Sequence, residues 1–134
     1  MPEALVPYQP AVLALGMFGF LYLAQLLVAD FTGIARRHTP GTAVEGGHDD
    51  FLFRAARAHA NTSESVGALI LIAGFAITCG GAPAIVNNGL WAFFAFRLVH
   101  MLAYYLDVRI LRSVAFGLGM LALLVVFGAG VRAL

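Results

Sequence analysis

Four apolar runs divide the chain, and short polar stretches separate them. The first covers Ala11 to Ala29 and is long enough to cross a bilayer, which takes about 20 residues. Its polar members, Tyr22 and Gln25, are three apart and share a face. Asp30 is expected to end it. Phe31 to Asp50, with Arg36, Arg37, His38, Pro40, Gly41, Gly46 and Gly47, reads as a loop. Asp49 and Asp50 then favour a helix start, and the helix should run from about Asp50 to Cys79, stopped by Gly80, Gly81 and Pro83. Asn87, Asn88 and Gly89 are expected to finish an uncharged connection. The third span follows from Leu90 to about Leu106, the turn from Asp107 to Leu111, and the fourth span from about Arg112 to Ala133. The predicted class is an all-α integral membrane protein, a bundle of four transmembrane helices forming a single domain over residues 1–134.

Two of these runs carry polar stripes. Arg54, Arg57, Asn61 and Glu64 are spaced three, four and three apart, which puts them on one side of a helix. Arg97, His100, Tyr104 and Asp107 repeat that spacing on the third span. Antiparallel neighbours with facing stripes would enclose one polar pocket. Arg109, Arg112 and Ser113, where the third helix turns into the fourth, would add charge and a hydroxyl at its mouth.

Composition agrees with a membrane setting. The chain is 61% hydrophobic and 11% charged, with a mean hydropathy of +0.89. A soluble core of this size could not hide that much apolar side chain. The net charge of +1 argues against a nucleic-acid partner. All eight basic residues are Arg, and six of them (Arg36, Arg37, Arg54, Arg57, Arg109, Arg112) flank the first and third connections. By the positive-inside rule those connections face the cytoplasm and both termini face away. The start of the chain lacks the basic residues and cleavage site of a signal peptide.

Taken singly, each polar residue has a plain explanation. Arg57 and Glu64 could neutralise one another, His100 could be a packing histidine, Tyr104 an interfacial anchor, and Arg109 and Arg112 topology signals. Together, Arg54, Arg57, Arg97, Arg109 and Arg112 outnumber Glu64 and Asp107. Buried positive charge in excess calls for an anion. The four histidines lack the spacing of metal ligands, and Asp49 and Asp50 lack a calcium-loop pattern, so no metal site is expected. Cys79 stands alone and reads as a packing residue.

At these residues the chain resembles the MAPEG family, the membrane-associated proteins of eicosanoid and glutathione metabolism. Arg57-Ala58-x-x-Asn61-x-x-Glu64 is similar to the second-helix signature of that family. Arg97, His100 and Tyr104 resemble the third-helix pattern of its prostaglandin E synthase branch, and Arg112-Ser113 its Arg-Ser pair. The overall look is closest to small bacterial members, which implies a bacterial inner membrane.

The resemblance implies a homotrimer binding glutathione between subunits and acting as a transferase or peroxidase on lipophilic electrophiles. Arg54, Arg57, Asn61, Glu64, Arg97, His100, Tyr104 and Arg109 would bind the tripeptide. Arg112 and Ser113 would serve the sulfur, since a guanidinium favours thiolate over thiol. A neighbour's Tyr22, Gln25, Arg36 or Arg37 would close the site. The chain departs from the family at Phe116, where some relatives have tyrosine, at Ala60, where some have Arg, and in a shorter turn before Arg112, which leaves Arg109 as a rival for the sulfur. Two alternatives stand beside this reading: a non-catalytic relative binding an anionic lipid or small ligand, and a purely structural bundle.

Overall fold

The computed structural model describes every residue from Met1 to Leu134. A 3-10 segment, Glu3–Tyr8, leads into four helices: α1 (Gln9–Ala35), α2 (Phe51–Thr78), α3 (Pro83–Tyr105) and α4 (Arg109–Val131). They contain 27, 28, 23 and 23 residues. At 1.5 Å per residue each exceeds a hydrocarbon core of about 30 Å. All four are long and apolar enough to span a membrane.

Three boundaries differ from expectation. Asp30 does not end α1, because its side chain lies on the exposed face, and the helix continues through Thr32, whose hydroxyl donates back to the Val28 carbonyl at 2.7 Å. It stops where Arg37 turns to φ 56 and the His38 N–H reaches the Gly33 carbonyl at 2.9 Å, closing the last turn. Asn87, Asn88 and Gly89 are not a connection, since α3 begins at Pro83, which suits a first helical turn. Asn87 instead accepts from the Ala11 N–H at 3.1 Å and donates to the Pro7 carbonyl at 3.0 Å. It thus satisfies an N–H that the start of α1 leaves unpaired. Gly89 is the point where α3 meets α4, and a Cβ there would run into the Val126 side chain. Finally, α4 starts at Arg109 rather than Arg112. Asp107 at φ 55 turns the chain within a few residues, with the Val108 N–H on the Ala103 carbonyl at 2.8 Å.

The start of α2 falls where the acidic pair suggests. Asp50 caps it, accepting from the Leu52 N–H at 2.8 Å. The third helix is the hub: α3 packs on α1, α2 and α4, and α2 also packs on α1 and α4. The core is built largely from small residues, with Ala73, Ala76, Ala122 and Ala129 buried among Phe18, Leu90, Phe93 and Val126. Gly130 lies against Phe75 and the Ala76 backbone. Lipid offers no hydrophobic drive between helices, so close approach through such residues supplies the packing energy. The outer surface is apolar instead, with Phe20, Leu71, Leu124 and Ile110 all exposed.

Candidate functional site

The α3 stripe meets part of the α2 stripe, at Asn61. The Arg97 Nη1 donates to Asn61 Oδ1 at 2.8 Å. Arg97 is only 1% exposed and lies between the rings of Phe93 and Phe116, 5.4 and 5.1 Å from their centroids. Its Nε and Nη2 have no hydrogen-bond partner in the chain, and no carboxylate lies within ion-pair distance. A buried guanidinium held by one neutral amide is incompletely compensated.

Beside this pair opens a pocket of about 240 Å³ lined by Asn61, His100, Tyr104, Arg112, Ser113 and Phe116. Helices α2, α3 and α4 all contribute. His100 is buried, its ring 5.1 Å from that of Tyr104 and edge-on to it, and its Nδ1 has no partner. The Arg112 guanidinium carbon stands 4.5 Å from the centroid of the Tyr104 ring, a cation–π contact that fixes the charge at the rim. Ser113 donates to the Arg109 carbonyl at 3.3 Å.

The remaining expected residues lie around this pocket rather than in its lining. Arg97 sits behind Asn61 and supports it. Arg54 donates to the His48 carbonyl and covers Phe51. Arg109 points outward, its Nε 4.0 Å from Asp107 Oδ1. Arg57 and Glu64 are exposed on the outer face of α2, and they make no ion pair with each other. At about 100° per residue, Arg54 and Asn61 fall within about 20° of each other, and so do Arg57 and Glu64, but the pairs are offset. The stripe is therefore two seams about 40–60° apart, one turned inward and one exposed at the outer edge of α2.

Gln25 does not reach toward a neighbour. It is fully buried, with neither amide atom partnered in the chain. Tyr22 is likewise engaged within its own subunit, stacked on His59 at 4.7 Å and donating to Ser63 Oγ at 3.2 Å. Beyond His59, on the α1 side of α2, a second hollow of about 480 Å³ has Leu26, Asp30, Ile34, His38 and Leu52 among its walls and shares no residue with the first.

Sequence reasoning missed His48. The α1–α2 loop carries it to the pocket mouth, where its Nδ1 lies 3.3 Å from Arg112 Nη1 and 3.7 Å from Asp107 Oδ1. Its ring also stacks near Tyr104. No periodic signal marks a loop residue that meets its partners across such a sequence separation.

Together these features define a class: a four-helix integral membrane protein with an Arg-rimmed polar pocket at the end bearing its basic connections. Residues 10–132 match the family model for the MAPEG family, and the chain belongs to that family. No curated protein and no solved structure matches it.

Proposed function

We propose that the protein is a glutathione-dependent membrane transferase or peroxidase acting on lipophilic electrophiles. The family includes glutathione-dependent enzymes of these kinds. The observation that carries the reading is Arg112, a cation fixed over Tyr104 at the rim of a pocket whose buried half is polar and lacks a carboxylate. A thiol entering beside that guanidinium is favoured as thiolate, which is the nucleophile. Asn61, braced by Arg97, and His100 and Tyr104 offer donors and acceptors to the tripeptide's polar groups. Of the two rival arginines, Arg112 rims the pocket and Arg109 turns away, which favours Arg112 at the sulfur.

The outward seam supports the homotrimer. Glu64 lies thirteen residues along α2 from Phe51, about 20 Å by helical rise. An exposed carboxylate at that depth is costly against lipid. A second copy covering Arg57 and Glu64 would remove that cost and bring both to the glutathione amine and carboxylates. The Arg-rich end facing the cytoplasm of a bacterial inner membrane, with both termini opposite, completes the proposal.

The test is glutathione binding to the detergent-purified protein, followed by thiolate difference absorbance, with Arg112→Ala alongside. The expected result is binding with a thiolate signal in the wild type. The variant should lose that signal while its fold and assembly persist, with turnover reduced about 100- to 1,000-fold. Binding without thiolate in the wild type would favour a ligand-binding relative, and no binding would overturn the reading.

A further inference from the structure

The loop between α1 and α2 brings a proton acceptor to the one arginine that rims the pocket. Nδ1 of His48 is within hydrogen-bond reach of Arg112 Nη1 at 3.3 Å, and Asp107 Oδ1, itself without a hydrogen-bond partner, waits 3.7 Å from the same atom. A guanidinium only donates, so in the contact with Arg112 the nitrogen of His48 is an unprotonated acceptor. A carboxylate only accepts, so Asp107 is a partner for that same nitrogen once it carries a proton. The single atom therefore has two mutually exclusive partners, selected by whether Nδ1 carries a hydrogen.

From this geometry we infer that His48 is the base that takes the proton of the bound thiol, and that taking it releases Arg112 to the sulfur. The inference rests on the thiol-activating function proposed above. In the step the S–H bond breaks, sulfur keeps the electron pair, and the proton passes to the Nδ1 lone pair. A neutral thiol and a neutral imidazole become a thiolate and an imidazolium. The imidazolium can no longer accept from Arg112, so it turns to Asp107, and the freed Nη1–H faces the new anion. Proton transfer and anion stabilisation are thereby coupled through one ring.

The surroundings fit such a role. Imidazole is the side chain that exchanges a proton near neutral pH. The His48 side chain is 32% exposed, open enough to meet a ligand at the mouth. Phe53, nearly perpendicular to it, and Tyr104, nearly parallel, flank its ring, with centroids at 5.4 and 6.2 Å. Its backbone is tied down by Arg54, which donates to the His48 carbonyl. Gly46, at φ +128, gives the loop a conformation that favours glycine and lets it fold back over the bundle end. The charged and titratable groups around the ring are Arg54 from α2, Tyr104 from α3, Asp107 from the turn, Arg109 and Arg112 from α4, and Asp49 and Asp50 on the loop itself.

The experiment counts protons. Glutathione is titrated into the full-length detergent-purified protein by calorimetry at about pH 8, where free imidazole is neutral. Buffers of different ionisation enthalpy give the protons released per ligand, and difference absorbance gives the thiolate formed. The comparison is His48→Gln, which keeps an acceptor for Arg112 but cannot be protonated. The wild type is expected to release clearly less than one proton per thiolate, because His48 retains it. His48→Gln should release one whole proton per thiolate, and its thiolate should appear only at higher pH. Asp107→Asn should move the wild-type count toward one. Equal proton counts and equal pH profiles in wild type and His48→Gln would overturn the role of His48 and leave the thiolate reading intact. A wild type that binds glutathione without forming thiolate, or does not bind it, would overturn both.

Discussion

The two ends of the bundle handle polar groups in opposite ways. At the end where α2 meets α3 and the chain begins, buried polar groups are paired. The Tyr8 hydroxyl donates to the Gly81 carbonyl at 2.6 Å, and Asn87 satisfies both Ala11 and Pro7. In the half of the bundle toward the Arg-rich end, buried polar atoms of Gln25, Thr62, Arg97 and His100 have no hydrogen-bond partner in the chain. The helix ends locate this second set. Gln25, Thr62 and Arg97 lie ten, eleven and eight residues from Ala35, Phe51 and Tyr105. By helical rise they sit about 12–17 Å inside, near the middle of a bilayer core. A protein shaped for stability alone would not concentrate unmet hydrogen bonds at that depth. The paired end holds the helices in register, and the unpaired end carries groups kept for something other than the fold.

The largest effect expected from breaking this contrast is at Asn61. Asn61→Ala removes the only hydrogen-bond partner of a buried guanidinium. Leaving Arg97 unpaired is expected to cost about 3 kcal/mol, read by SDS titration in mixed micelles with helical circular dichroism. Glutathione binding should weaken with it. A variant as stable as the wild type would mean that Arg97 is compensated by some other means, and the unpaired character of this end would be lost as an argument.

At Gln25 the expected sign reverses. Its amide is completely enclosed and unpartnered, so a leucine of similar volume removes a desolvation cost. Gln25→Leu is expected to stabilise the bundle by about 1–2 kcal/mol in the same titration. A loss of stability would show that Gln25 is satisfied in the membrane, leaving Arg97 and His100 among the buried groups without partners.

Much of this division was legible in the sequence, and the residues show where legibility stops. Facing stripes predict contact between the second and third helices, and Arg97 on Asn61 delivers it. Asp50 as a helix cap also follows from local chemistry. The division of Arg54–Glu64 into an inward and an outward seam does not follow from spacing, because a rotation of tens of degrees decides it and neighbouring helices set that rotation. The start of α3 is not legible locally, because Asn-Asn-Gly is a turn signal, whereas here Asn87 serves α1 across the bundle. His48 was invisible for the same reason: its partners are brought to it by the fold.

The smallest effect probes the paired end. Tyr8→Phe deletes the hydroxyl on Gly81 and leaves that buried carbonyl without its donor. Hydrogen bonds in membrane proteins contribute modestly when measured by paired deletions, so the expected loss is about 1 kcal/mol. What makes the variant useful is what it leaves alone. Tyr8 is at the opposite end from Arg112, and α1 is not among the helices lining the pocket. Glutathione affinity and thiolate absorbance should therefore match the wild type within error while the unfolding midpoint falls. If Tyr8→Phe instead weakened the ligand as much as Asn61→Ala, the two ends would not be separable. The pocket would then depend on the register of the whole bundle rather than on the groups at its own end.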